Sequence, residues 1–228
     1  MSDPATLGKA TELGYGYWPF YYGGRAGVLG DVDADVVTAS LFFIPGEMVR
    51  KGWDKARSIG DLCDAGLAYR ECCREWGRAH LASVEGLDRI VELSEKAVQH
   101  AAPLHAPVFA GWRALKLPDD APGRAAQLLH VLREHRGAMH AVAVHASGLT
   151  PVEAVGTSKL AKVSLQLFSW PEESWPEVSE DLAAKRKAAD ELTDELSAQP
   201  FEALTSEEGD EYVALLGAAK EKLFPKKS

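Results

Sequence analysis

Residues 123–148 read GRAAQLLHVLREHRGAMHAVAVHASG, and this stretch decides the fold class. Leu128, Leu132, Met139 and Val142 recur at intervals of four, seven and three, the period of one helix face. The spacing predicts a long α-helix from Gly123 to His145, with Gly148 as its stop. The same three-four spacing recurs along the chain, and alternating Val/Ile/Thr runs bounded by turns are absent. The chain therefore reads as all-α, a two-lobed multi-helix bundle of eight to ten helices.

Working outward, Thr150 opens a helix with a capping box, because Glu153 lies three positions on; Thr205 and Glu208 repeat the pattern. The last helix is expected to bury Val213, Leu216 and Leu223, and the one near 177–197 Leu182, Ala189, Leu192 and Leu196. Upstream, helices are expected over Pro4–Leu13, Tyr15–Tyr22, Asp33–Phe43 and Pro45–Ala56, then from Ser58 and from near Ser83. Gly23 and Gly24 are read as the end of the second. Residues 102–122 hold four prolines and form the expected junction between an N-terminal lobe, 1–103, and a C-terminal lobe, 122–228.

Composition bounds the function. With 46% hydrophobic and 26% charged residues over 228 positions, the chain has the make-up of a globular protein. No apolar run is long enough to span a bilayer and the start lacks signal-peptide character, so a soluble, cytoplasmic protein without a membrane partner is expected. The net charge of −9 weighs against nucleic acid and anionic membranes. Cys63, Cys72 and Cys73 offer no metal-ligand spacing, and neither a metal nor a cofactor is implied.

Two regions carry candidate chemistry. Tyr15, Tyr17, Trp18, Phe20, Tyr21 and Tyr22 put six rings in eight residues, followed by Gly23, Gly24 and Arg25. Such a block can wall a pocket, with Arg25 receiving an anion or lying over a ring. His130, His135, His140 and His145 are spaced by five, so successive rings turn roughly 140° about a helix and cannot share a metal. His135 alone joins the Leu128–Val142 stripe, with Arg136 at its edge. An inward histidine needs a hydrogen-bond partner or a ligand. Tyr17, Trp18, Tyr21, Tyr22, Arg25, His135, Arg136 and Met139 are thus the candidate binding residues for a small aromatic or anionic molecule. An enzyme using the same pocket, with His135 as acid/base and Arg25 as anion holder, is the first alternative.

The third reading is a transcriptional regulator. Residues 147–168 have a helix-turn-helix outline, but the second helix offers only Lys159, Lys162, Ser164 and Gln166 before Glu172, Glu173 and Glu177. There is no phosphate loop and no nucleophile elbow.

The block Tyr21–Gly30 resembles a Tyr-Phe-x-Gly-Arg-Ala-x-x-Leu-Gly signature of an actinobacterial all-helical family, often labelled only helix-turn-helix-like. Val36–Phe43, Trp53, Arg70, Gly148–Pro151 and Trp170-Pro171 are similar too, and the likeness covers most of 15–215. It implies two helical lobes and leaves the activity open. Ala188–Asp194 looks like the dimerisation region of winged-helix regulators, which implies a homodimer, although no wing precedes it.

Overall fold

A computed structural model describes residues 3–225. Among these residues there are twelve α-helices and no strand. In chain order they are α1 (Pro4–Glu12), α2 (Tyr17–Ala26), α3 (Ala34–Leu41), α4 (Gly46–Ile59), α5 (Leu62–His80) and α6 (Leu87–His100). After them come α7 (Pro107–Arg113), α8 (Ala121–Ala146), α9 (Pro151–Gly156), α10 (Ala161–Leu167), α11 (Glu180–Ala198) and α12 (Ser206–Leu223). The count exceeds the expected eight to ten because α7, α9 and α10 are short pieces of six or seven residues.

Helix ends follow local chemistry. Asp33, Asp61 and Asp120 cap α3, α5 and α8 by accepting backbone N–H bonds. Asp61, and not Ser58, starts α5; Ser58 lies inside α4 and donates to the Lys55 carbonyl. Both expected capping boxes form, Thr150 with Glu153 and Thr205 with Glu208. Gly148 follows α8 at φ +71°, the left-handed geometry that glycine adopts without penalty.

α8 is the axis of the molecule. It packs against α5, α6, α7 and α11. Its buried positions include Ala125, Gln127, Leu128, Val131, Glu134, His135, Ala143 and Val144. One hydrophobic cluster groups Ile90, Leu93, Phe109, Trp112, Leu128 and Val131. Another groups Phe20, Tyr22, Val37, Val49 and Trp53 around α2 and α4. Residues 102–122 are not a bare connector: α7 carries Val108, Phe109 and Trp112 into the first cluster. The clusters therefore do not divide at the expected lobe boundary.

Leu182 and Ala189 are buried and Leu216 and Leu223 pack on the core as expected, but each stripe departs from the expectation in part. On α12 it is Tyr212 and Ala219 that are buried, with the Tyr212 hydroxyl 2.8 Å from Ser94 Oγ, while Val213 is exposed. On α11, Thr193 replaces Leu192 inside, its hydroxyl donating to the Ala189 carbonyl.

Gly23 and Gly24 do not end α2; they lie inside it, against α4 and α5. A Cβ built on Gly24 would sit 2.5 Å from Tyr69 Cβ, and one on Gly23 3.0 Å from Ala56 Cβ. The glycines let α2 approach its neighbours closely, which overrides their weak helix propensity. Gly24→Ala is expected to destabilise the fold by roughly 1–3 kcal/mol, the cost of overpacking, in urea unfolding. An unchanged midpoint would show that α5 can move away.

Candidate functional site

The site is organised by an ion pair between α2 and the middle of α8. Arg25 lies in the last turn of α2, and Glu134 is buried on α8. Arg25 Nε and Nη2 donate to the two Glu134 carboxylate oxygens, each at 2.8 Å. Nη1 donates to Tyr21 Oη at 2.6 Å, one helical turn earlier. The backbone is used as well, since Trp112 Nε1 donates to the Arg25 carbonyl at 2.9 Å. All three nitrogens of the guanidinium are thus engaged in a bidentate, charge-assisted arrangement.

Burial alone would raise the Glu134 carboxyl pKa, but Arg25, with His130 and Arg133, outweighs it and holds it below the usual value. For Arg25 burial acts to lower the pKa, and Tyr21 and Glu134 together reverse this and raise it. The pair is ionised. Arg133 Nη1 also donates to Glu134 at 2.8 Å, so one carboxylate serves two guanidiniums and a positive charge is left over.

Beside the pair is a cavity of about 350 Å³ between α2, the α3–α4 connection, α8, α9, α10 and α11. Its phenyl and phenol rings are Tyr21, Phe42, Phe43, Phe109 and Phe168, and its cations are Arg25, Arg133, Arg136 and Arg186. Glu134 is the one carboxylate in the described wall. Asp194 and Asp190 pair with Arg136 and Arg186 from outside that wall, and both are exposed. Counting them, four guanidiniums still face three carboxylates.

Two details of the wall have no explanation in packing. Ser158 Oγ is buried and has no hydrogen-bond partner among the described residues, an unusual state for a hydroxyl. Gly137 lies in the interior of α8, where glycine costs about 0.5–1 kcal/mol relative to alanine. A Cβ there would meet nothing within 4 Å, so packing does not require the glycine. What its missing side chain leaves free is cavity.

Of the candidate residues from the sequence, Tyr21, Arg25 and Arg136 line this cavity. Trp18 and Tyr22 do not; Trp18 stacks on Tyr22 at 5.5 Å behind Tyr21, and Tyr22 is fully buried. Tyr17 packs edge-on against Trp18. Met139 packs on the α6–α8 core. His135 lies in that core as well, edge-on to Phe109 at 5.1 Å, and burial together with Arg113 lowers its pKa. It does not line the Arg25 cavity, so an acid/base role there has no geometric footing.

The imidazole in the wall is His140, which the five-residue spacing had discounted. Its ring stacks on Phe43 at 5.0 Å and Nδ1 lies 2.8 Å from Thr193 Oγ1. The Thr193 hydroxyl spends its proton on Ala189 at 2.6 Å, so it accepts from His140 Nδ1–H. The neutral ring then carries its lone pair on Nε2. Burial lowers the His140 pKa.

On the far side of Glu134, His130 is packed against Trp112 at 4.2 Å. Burial pushes its pKa from 6.5 down to about 4, so it is neutral near pH 7 and its 3.4 Å approach to Glu134 is not an ion pair.

Among the described residues no cluster of histidine, cysteine and carboxylate side chains has metal-binding geometry, and no helix is long and apolar enough to cross a membrane. The segment 147–168 forms α9, a turn and α10. Its inner side chains, Ala154, Val155, Ser158, Ser164 and Phe168, form one wall of the cavity. Its outer face exposes Leu160, Val163 and Leu167 beside Lys159, Lys162 and Gln166.

These features define an all-α protein built on a central buried helix, with an arginine-rich cavity beside a buried ion pair. The model of a helix-turn-helix family matches residues 2–227, and the chain belongs to that family. No curated protein and no solved structure matches it.

Two predictions follow from this geometry. Replacing Glu134 by Leu strands the buried Arg25 and is expected to cost about 3–5 kcal/mol. The double variant Arg25→Met/Glu134→Leu should recover much of that in a double-mutant cycle, because no unpaired charge is left. The second concerns acid. The His130 pKa is lower in the folded state than its ordinary 6.5, so the unfolded chain takes up the proton first. Stability is then fully present above pH 6.5 and is lost as pH falls towards about 4, by on the order of 3 kcal/mol. His130→Phe should flatten the stability–pH slope in this window, measured by urea unfolding at stepped pH. An equal slope in the variant would show that other groups set it.

Proposed function

We propose that the protein binds a small anionic molecule with an aromatic or apolar body in the cavity beside Arg25. The reading rests on one observation above all, the excess of guanidinium over carboxylate in a ring-lined cavity of a chain with net charge −9. Arginine forks suit carboxylate or phosphate, and the rings supply apolar contact at low entropic cost. The unpartnered Ser158 hydroxyl and the open space at Gly137 fit the same reading. Binding of this kind serves sensing, sequestration or self-resistance.

The test is a thermal-shift and calorimetry panel of aromatic and aliphatic carboxylates and phosphate monoesters. A true ligand at a hundred times its Kd adds about 2.7 kcal/mol of stability. Arg136→Gln is expected to weaken it roughly ten- to a hundredfold, the loss of one charge-assisted hydrogen bond. Gly137→Ala should raise stability by about 0.5–1 kcal/mol, and Gly137→Leu should lower ligand affinity while the fold persists. A panel without any stabilising anion would overturn the reading.

Membership of a helix-turn-helix family favours a second reading, binding to DNA through α9 and α10. It predicts fluorescence anisotropy on duplex DNA that falls steeply with salt and is lost in Lys159→Ala/Lys162→Ala. The apolar outer face of α10 and the negative net charge count against it.

A further inference from the structure

We infer that the ligand is a single-chain amphipathic anion, whose headgroup sits at the arginines and whose hydrocarbon tail runs out along α8. This rests on the anion-binding reading above and adds the chemistry of the rest of the molecule.

A second hollow adjoins the first. It lies between α3 and α8, has a volume of about 860 Å³, and shares Ser40, Phe42, Pro107 and Ala138 with the arginine cavity as a common lip. Its apolar lining is Val36, Ala39, Ala138, Ala141, Val142 and Ala146. Small side chains on both helices keep it wide, and Val36, which lines it, is 44% exposed. The polar lining residues are Asp35, which pairs with Arg50, Ser40 at the common lip, and His105 and His145.

Backbone strain is concentrated at this groove. Three non-glycine residues have positive φ among the described residues: Phe42 at +48°, His105 at +58° and Ser169 at +60°. The first two line the groove, and Phe42 lines both hollows. Its ψ of −53° lies outside even the left-handed helical region, a costly state for a bulky residue. Such strain persists where the surrounding structure holds it, and it clusters at ligand sites.

The polarity along α8 orients the occupant. Arg133 and Arg136 precede the shared Ala138, and the apolar positions continue to Ala146. From Ala138 to Ala146 the helix rises about 12 Å, the reach of roughly nine or ten extended methylenes. A cationic chamber opening into an apolar trough of this length matches a carboxylate on a medium-length chain, and neither end alone would select it.

The experiment is a calorimetric titration of the intact protein with straight-chain carboxylates from butanoate to tetradecanoate below micelle formation, alongside benzoate. Sedimentation is measured on the same samples. Affinity should rise roughly three- to fourfold per added methylene and level off near dodecanoate, as each buried methylene adds a constant increment. Ala141→Trp, which fills the trough, should remove the length dependence and leave benzoate binding intact. If benzoate and the short acids bind but affinity is flat with length in the unmodified protein, this inference fails and the anion-binding reading stands. If no acid of any length binds, the inference fails, and the anion-binding reading is then decided by the phosphate monoesters of its own panel. A dimer that Ala141→Trp dissolves, with no length dependence, would assign the trough to a second copy of the chain and overturn the inference.

Discussion

The buried pair between Arg25 and Glu134 is the constraint around which the rest is arranged. A carboxylate in the middle of a buried helix is tolerable only if its charge is answered on both oxygens, and Arg25 does this from α2. The pair therefore fixes how α2 meets α8. The glycines at 23 and 24 let α2 settle closely on α4 and α5, and the Trp112 bond to the Arg25 carbonyl ties in α7. With Arg25 saturated by Glu134 and Tyr21, the more exposed cations of the cavity are Arg133 and Arg136.

α8 explains why one helix can serve both core and cavity. Packed on α5, α6, α7 and α11, it has no single solvent face. Its polar side chains are therefore distributed into different local environments. Glu134 is ion-paired, and Gln127 accepts a bond from Arg74 Nε at 2.9 Å. His130, His135 and His140 each meet a ring, on Trp112, Phe109 and Phe43 respectively. Burial lowers the pKa of all three, so they are neutral packing units around neutral pH.

The site was partly legible. The Tyr21-to-Arg25 block could be singled out because rings and a lone arginine are concentrated there, and two of its members do line the cavity. The helix wheel put His135 inside, where it lies, but did not single out His140, the histidine that lines the cavity. It assumes one buried stripe, whereas a helix enclosed by neighbours buries several, so His140 was as eligible as His135. Glu134 gave no signal, since a glutamate flanked by Arg133 and His135 has the look of a solvated face. Phe42 and Ser158 were also out of reach, one marked by strain and the other by a missing partner, and neither has a sequence signature.

By itself the sequence determined the helices and most of their ends. Periodicity, capping side chains and Gly148 act over a few residues, and the energies that decide them are local. Tertiary structure decided which faces are inside, that Gly23 and Gly24 continue a helix, and that Arg25 finds Glu134 across 109 positions of chain. Those outcomes depend on what packs against each surface and on which charges must be neutralised when water is removed. That information belongs to no single segment, because desolvation is a property of the assembled interior.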